Sequence, residues 1–207
     1  MTRVHISYLW SFPLVAVCVL VLALTGLYGA SLKASDLTFP DEAPSEPSQY
    51  RMKDYRSKVP CCLQGARVVT PPEAMALHRQ GQTIFIDVMP TPPRPPKLPE
   101  GVIWRDKVHL TIKGGVWLAN VGYGLLPLEM KRYFSDHLDR LTGGNKHQPL
   151  LFYCLENCWM SWNAAKRALA LGYRQVTWYP SGTDGWVRSG GVLVEAHLEP
   201  LPTLNAP

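Results

Sequence analysis

Two uninterrupted apolar runs constrain the fold of this chain more than any other feature. They are Thr83–Val88, in which Asp87 alone is charged, and Pro149–Tyr153. A strand with one face in water alternates apolar and polar residues, whereas a strand without alternation is covered on both faces. The two runs therefore predict an α/β domain built on a parallel sheet with helices on both faces.

The segments around these runs supply the helices and the remaining strands. A capping box with proline at the first helical position, Thr70-Pro71-Pro72-Glu73, opens a helix that stops at Gly81. The proline-dense residues 90–99 and the region after them are predicted to be loop. Two further strands are predicted at Ala66–Val69 and Gln175–Tyr179. Two further helices are predicted at Pro127–Leu141 and Trp162–Leu171. The resulting order is β-α-β-loop-α-β-α-β.

The N-terminus predicts export. Arg3 and His5 precede an uncharged stretch from residue 6 to 32 with an apolar centre. A membrane span needs about 20 apolar residues, and a signal peptide needs a shorter core with a small-residue cleavage site such as Gly29-Ala30-Ser31. We therefore predict that residues 1–34 are a signal peptide or a membrane anchor, with residues 9–30 in the inner membrane if the segment is retained. The protein is then periplasmic, secreted or anchored facing the periplasm.

Two further regions follow this segment. Residues 35–60 are rich in proline, serine and acidic residues and are predicted to be a flexible linker. Residues 61–207 are predicted to be the folded domain. The net charge is +5, and its basic residues are scattered without aromatic interleaving, which does not favour nucleic-acid binding.

The cysteines are the candidate functional residues. Cys18 lies in the apolar segment, which leaves Cys61, Cys62, Cys154 and Cys158 for the domain. Outside the cytosol such cysteines commonly form disulfides. A disulfide between the adjacent Cys61 and Cys62 would be strained. Two alternatives therefore remain: both are free thiols, or one of them forms a disulfide with Cys154 or Cys158.

Cys154 directly follows a predicted buried strand, and Cys158 comes four residues later. Asp87 and Asp184 also follow predicted strands, and function in parallel sheets gathers beyond the carboxyl ends of strands. A helix N-terminus stabilises an anion, so we expect Cys154 to have a lowered pKa. Three interpretations are open: a redox-active or persulfide-carrying pair, a structural staple, or a metal or cofactor ligand. Zinc is disfavoured because no second pair of ligands has suitable spacing.

Other residues near the cysteines are candidate pocket residues. Trp159 and Trp162 either shield a reactive sulfur, stack on a planar cofactor or simply pack. Asp87 is expected to bond backbone groups near the loop. The remaining candidates for the loop or the rim of the pocket are Glu156, Asn157, Ser161, Asp184 and Trp186.

Several of these segments resemble the rhodanese family, in the right order, between Ala66 and Pro202. The matching pieces are Phe85-Ile86-Asp87-Val88, Phe152-Tyr153-Cys154, Ala164-Ala165-Lys166 and Asp184-Gly185-Trp186. More specifically, the chain is similar to the exported CxxxCW-motif proteins associated with PQQ-dependent alcohol catabolism. The segments that carry this likeness are 154–165, 117–124 and 178–186.

The resemblance implies a rhodanese-like fold with Cys154 at the sulfur-carrying position. It also implies an accessory role in PQQ-dependent oxidation, with PQQ as a possible associated cofactor and a PQQ-dependent dehydrogenase, or its cytochrome c or transport partner, as the partner. Met160 stands where the rhodanese loop typically has a serine or threonine, often beside an arginine, and where the phosphatase relatives need an arginine, and Glu156 adds a negative charge. Plain thiosulfate sulfurtransferase activity is therefore disfavoured. The alternative function is a non-catalytic module that presents a disulfide-stapled loop to a quinoprotein, a cytochrome c or the quinone cofactor.

Overall fold

A computed structural model of the chain describes residues 43–92, 97–98, 100–101, 103 and 107–202. The predicted signal peptide or anchor (1–34, with 9–30 in the membrane) and the first part of the predicted linker (35–42) lie outside the described residues. The described residues belong to one compact unit, Ala43–Pro207. Within them, no helix has the length and apolar character needed to cross a membrane.

Seven strands and four helices make up the described part of the chain. In chain order they are β1 (Arg67–Val68), α1 (Pro71–Gln80), β2 (Ile84–Asp87), β3 (Leu110–Ile112), β4 (Val116–Trp117), α2 (Leu128–Thr142), β5 (Leu150–Tyr153), α3 (Trp159–Ala170), β6 (Val176–Tyr179), α4 (Gly182–Arg188) and β7 (Leu193–Glu195). Five strands form a parallel sheet in the order β1-β6-β5-β2-β4, while β3 and β7 pair antiparallel. The prediction of an α/β domain on a parallel sheet is confirmed.

The sheet is covered on both faces, as its unbroken apolar strands require. On β5, Leu150 and Phe152 belong to a core cluster that includes residues of α2 and α3. Leu151 and Tyr153 belong to a second cluster that includes Ala74 of α1 and residues of α4. Successive strand side chains point to opposite faces, so the two clusters lie on either side of the sheet.

Three elements differ from the prediction. Helix α3 begins at Trp159, three residues before the predicted start, so it directly follows Cys158. The predicted loop contains the strands β3 and β4, which are only three and two residues long. The Asp184-Gly185-Trp186 segment lies inside helix α4, where no helix was predicted.

The predicted linker also differs in the part that the structure describes. The backbone N–H and C=O of Arg51 both bond to the side-chain amide of Asn163 on α3, and Tyr55 O accepts a hydrogen bond from Trp159 N. Tyr55 and Val59 pack against the core. Residues 50–62, which we call the N-terminal strap, therefore lie against α3. The linker prediction rested on average composition, which hid these few apolar contacts.

Candidate thiol site

The site lies at the carboxyl ends of three adjacent strands. Asp87 of β2 pairs in register with Tyr153 of β5, which pairs with Tyr179 of β6. Cys154 follows β5 directly, and Cys158 is the N-cap of α3. The segment 154–158, which we call the cysteine loop, joins the two. The strand register brings Asp87 and the cysteine loop together at the carboxyl end of the sheet, as the sequence predicted.

Helix α4 holds the cysteine loop in place. Thr183 N donates to Cys154 O (2.9 Å), and Glu156 N donates to a carboxylate oxygen of Asp184 (3.0 Å). Gly182 has a φ of +51°, and a Cβ there would collide with Cys154 O. Asp184 thus acts on the backbone of the loop and fixes its position.

Both cysteines of the loop are buried free thiols. Their exposed fractions are 1% for Cys154 and 2% for Cys158. The two thiols are hydrogen-bonded to each other. The sulfurs of Cys154 and Met89 lie 3.6 Å apart, so the single S–H of Cys154 can be shared between Met89 and Cys158. Cys61 and Cys62 are exposed free thiols with no bridge to this site.

The environment of the pair favours a thiolate on Cys158. A hydrogen bond from Cys154 lowers the pKa of Cys158 to about 7, against the cost of burial, and the backbone N–H of Met160 and the positive charge of Arg56 add to this. Burial, followed by the hydrogen bond to Cys158, raises the pKa of Cys154 well above its ordinary value. The pair therefore holds one proton, on Cys154, when the thiolate forms.

This assignment corrects the expectation that Cys154 carries the lowered pKa. Helix α3 begins at Trp159, so the N–H of Met160 in its first turn reaches its N-cap, Cys158, whereas Cys154 directly follows β5. Asp87 adds a negative charge near Cys154 that raises its pKa further. The loop conformation, and not the order of the two cysteines, decides which sulfur is anionic.

The other loop candidates have defined positions. Glu156 forms a two-point ion pair with Arg188 (3.0 and 2.6 Å), so the negative charge that the sequence places in the loop is neighboured by a cation. Asn157 is exposed and has a left-handed φ of +54°. Ser161 is buried; its hydroxyl donates to Cys158 O (3.0 Å) and accepts from the Trp178 indole.

The three tryptophans among the candidates lie in different places, and Trp162 is buried on α3 with its indole N–H donating to Cys62 O (3.2 Å). Trp159 is buried beside Cys158; its indole N–H donates to Ser57 Oγ (3.0 Å), and the Arg51 guanidinium lies 5.0 Å from its ring centroid. Trp186 lies in the second core cluster on the other face of the sheet and donates to Val192 O. Trp159 packs between the thiols and the strap, while Trp186 packs against α1.

Asp87 anchors a buried polar network beside the thiols. Its carboxylate accepts from Met89 N (2.9 Å), His109 Nε2 (2.8 Å) and Thr111 Oγ1 (2.6 Å). The expected bond to the backbone is present as Met89 N, but His109 and Thr111 were not foreseen. A cavity of about 200 Å³ adjoins His109, smaller than the ~300–1,000 Å³ typical of small-molecule sites.

Sequence reasoning missed four residues at the site: Met89, Arg56, His109 and Thr111. A signal existed only for Met89, which lies two residues beyond Asp87 at the same sheet edge. Among the described residues, no group of three or more His, Cys, Asp and Glu side chains is arranged to hold a metal ion.

Comparisons with known proteins add little to this picture. No family model matches the chain, and no curated protein matches it. Among solved structures, an uncharacterized protein from Saccharomyces cerevisiae is 19% identical with a TM-score of 0.36, over 60% of this chain and 93% of that one. A variant of EanB in complex with hercynine is 18% identical with a TM-score of 0.41, over 64% of this chain and 32% of that one. The α/β assignment rests on the strand pairing observed in this chain.

Proposed function

We propose that this protein is a periplasmic, rhodanese-like accessory protein of PQQ-dependent alcohol oxidation that uses Cys154 and Cys158 in thiol–disulfide or persulfide chemistry. The observation that supports the chemical part is the pair of buried free thiols in one loop, with Cys158 as the N-cap of α3 and its pKa lowered by Cys154 and the nearby backbone N–H groups. The link to PQQ rests on the resemblance of the CxxxCW segment. Structural cysteines are commonly inert, whereas a cysteine with a pKa near 7 is a nucleophile at neutral pH.

In the thiol–disulfide version, Cys158 is the attacking sulfur and Cys154 is the resolving sulfur. The Cys158 thiolate attacks a disulfide of a partner, forming a mixed disulfide and releasing one partner sulfur as thiolate. Cys154 then gives up its proton and attacks Cys158 Sγ, which forms the Cys154–Cys158 disulfide and releases the second partner thiolate. Two electrons pass to the partner, and the reverse sequence oxidises it.

In the persulfide version, the same thiolate attacks the sulfane sulfur of a donor persulfide. A Cys158 persulfide forms as the donor's S–S bond breaks, and the donor leaves as a thiolate. This places the carried sulfur on Cys158, whereas the family resemblance implies Cys154. Mass spectrometry of the protein from its native envelope distinguishes the two versions, since a persulfide adds one sulfur to a cysteine and a disulfide removes two hydrogens.

The reduction potential of the Cys154–Cys158 pair is the direct test. A redox-cycling pair should equilibrate with glutathione near the roughly −120 to −270 mV range of thiol oxidoreductases, whereas a potential below about −300 mV is that of an inert structural disulfide and contradicts the proposal. Replacing Cys61 and Cys62 by serine is the matched control and should leave the potential unchanged.

The biological part needs a test in cells. A strain that lacks this gene, grown on an alcohol whose oxidation requires a PQQ-dependent dehydrogenase, should be restored by the wild type and not by the Cys154→Ser/Cys158→Ser double variant. Full restoration by a folded double variant would favour the non-catalytic binding module. Unimpaired growth of the deletion strain would refute the link to PQQ.

A further inference from the structure

Met89 gives the thiol pair a third sulfur that the proposed function does not use. Its thioether lies 3.6 Å from Cys154 Sγ, and Cys154 is hydrogen-bonded to Cys158. The three residues come from separate elements: Met89 follows β2, Cys154 follows β5 and Cys158 caps α3. The sulfur of Met89, 65 residues earlier in the chain, therefore lies beside the cysteine loop that carries the other two sulfurs.

We propose that Met89, Cys154 and Cys158 form a binding site for Cu(I). Thiolate and thioether sulfurs are soft ligands, and an all-sulfur set that includes methionine selects Cu(I) over Mg²⁺, Ca²⁺ or Mn²⁺. Structural zinc sites take four ligands from cysteine, histidine and carboxylate, a set that the described residues do not assemble here.

The spacing of the sulfurs suits a three-coordinate ion. A metal–thiolate bond is about 2.3 Å long, as it is for zinc, so three sulfurs around a trigonal ion lie about 4 Å apart. The Cys154–Met89 separation of 3.6 Å is close to this value. Cys158 lies four residues after Cys154 in the same loop and belongs to the same core cluster.

Burial and charge also fit a captured cation. Both thiols are at most 2% exposed, whereas Met89 is half-buried, so an incoming ion meets the thioether before the thiols. Cu(I) with two thiolates carries one net negative charge, which the charge of Arg56 and the backbone N–H of Met160 offset. The nearby Asp87 carboxylate already accepts three hydrogen bonds.

Copper binding goes beyond the proposed function because it requires only the dithiol. Cu(I) replaces the remaining proton of Cys154, forms two thiolate bonds and one thioether bond, and no electron is transferred. Oxidation to the Cys154–Cys158 disulfide removes two of the three ligands. Copper loading and disulfide formation therefore exclude each other at this site.

The exposed pair Cys61–Cys62, whose sulfurs lie 3.4 Å apart, is a competing soft site and must be removed for the test. The experiment uses the full chain in mild detergent with Cys18, Cys61 and Cys62 replaced by serine. The reduced protein is titrated anaerobically with Cu(I) against a chromogenic Cu(I) chelator. X-ray absorption of the loaded protein then counts the sulfur neighbours.

We expect one Cu(I) per chain with three sulfur neighbours. Met89→Leu should weaken binding by about 10- to 100-fold and remove one sulfur neighbour, while Cys154→Ser or Cys158→Ser should weaken it by more than ~100-fold. The matched control is Met75→Leu, a half-buried methionine that packs in the second core cluster and should leave binding unchanged. Absence of Cu(I) binding, or binding that Met89→Leu leaves unaltered with two sulfur neighbours, would overturn the proposal. Neither result bears on the reduction potential that tests the proposed function.

Discussion

Removing the Cys154 thiol should raise the pKa of Cys158. The hydrogen bond from Cys154 is the largest contribution that lowers the Cys158 pKa from 9.0 to about 7. Such a shift corresponds to roughly 3 kcal/mol, and a hydrogen bond to a charged group contributes about 1.5–3 kcal/mol. Cys154→Ala should therefore raise the pKa of Cys158 by about 1–2 units. At pH 7 the thiolate fraction falls from about one half to about 1–10%.

The assay is the ultraviolet absorbance of the thiolate as a function of pH. It is measured in the background without Cys18, Cys61 and Cys62, and the signal of the Cys158→Ser variant is subtracted. Cys154→Ser is the matched control, since its hydroxyl keeps a donor at the same place and should hold the midpoint nearer the wild-type value. An unchanged midpoint in Cys154→Ala, or a wild-type midpoint at the ordinary thiol value of about 8.5, would refute the reasoning.

The remaining predictions concern residues that hold the cysteine loop and its surroundings in place. Chemical denaturation measures the two changes in stability, and the thiolate titration measures the change in pKa. Gly182→Ala should destabilise the fold by about 2–5 kcal/mol, because a Cβ at a φ of +51° collides with Cys154 O. Arg167→Met should cost about 2–4 kcal/mol, because the buried guanidinium donates to three backbone carbonyls in residues 121–124. Asp87→Asn should lower the pKa of Cys154 and move the second thiolate step to lower pH, because the Asp87 charge raises that pKa.

Each of these predictions has a matched control in the chain. Gly143→Ala, at a φ of +60° with open space around it, should cost only the backbone strain of about 1–2 kcal/mol. Arg140→Met, on the exposed face of α2, should cost less than about 1 kcal/mol. Asp136→Asn, which is also exposed, should leave the second thiolate step in place. Equal effects in a variant and its control would contradict the corresponding argument.

The two cysteines also set a pH window for stability. Folding lowers the pKa of Cys158, so its contribution is fully present above the unfolded value of 9.0 and is lost as pH falls through about 7. Folding raises the pKa of Cys154, so its contribution is present below 9.0 and is lost at higher pH. The stability that the pair adds to the reduced protein should therefore rise from about pH 7, reach its maximum near pH 9 and fall at higher pH.

The local sequence was sufficient to locate the site. The apolar runs at β2 and β5 have no alternation, which requires a sheet covered on both faces. Parallel pairing then brings the carboxyl ends of the strands to one edge. The rule alone predicts the location of Asp87 and Cys154, because each residue lies at or just after the end of its own strand. The helices at α1 and α2 were also predicted to within one residue, since capping and stop residues are local signals.

The tertiary structure decided what the site can do. The pKa of Cys158 is lowered in part because α3 begins directly after it. The positive charge of Arg56, which also lowers this pKa, belongs to the N-terminal strap about 100 residues earlier in the chain. Met89 is brought within 3.6 Å of Cys154 by the pairing of β2 with β5. Such contacts leave no trace in composition or periodicity, because they depend on where separate segments pack and not on the pattern within any one of them.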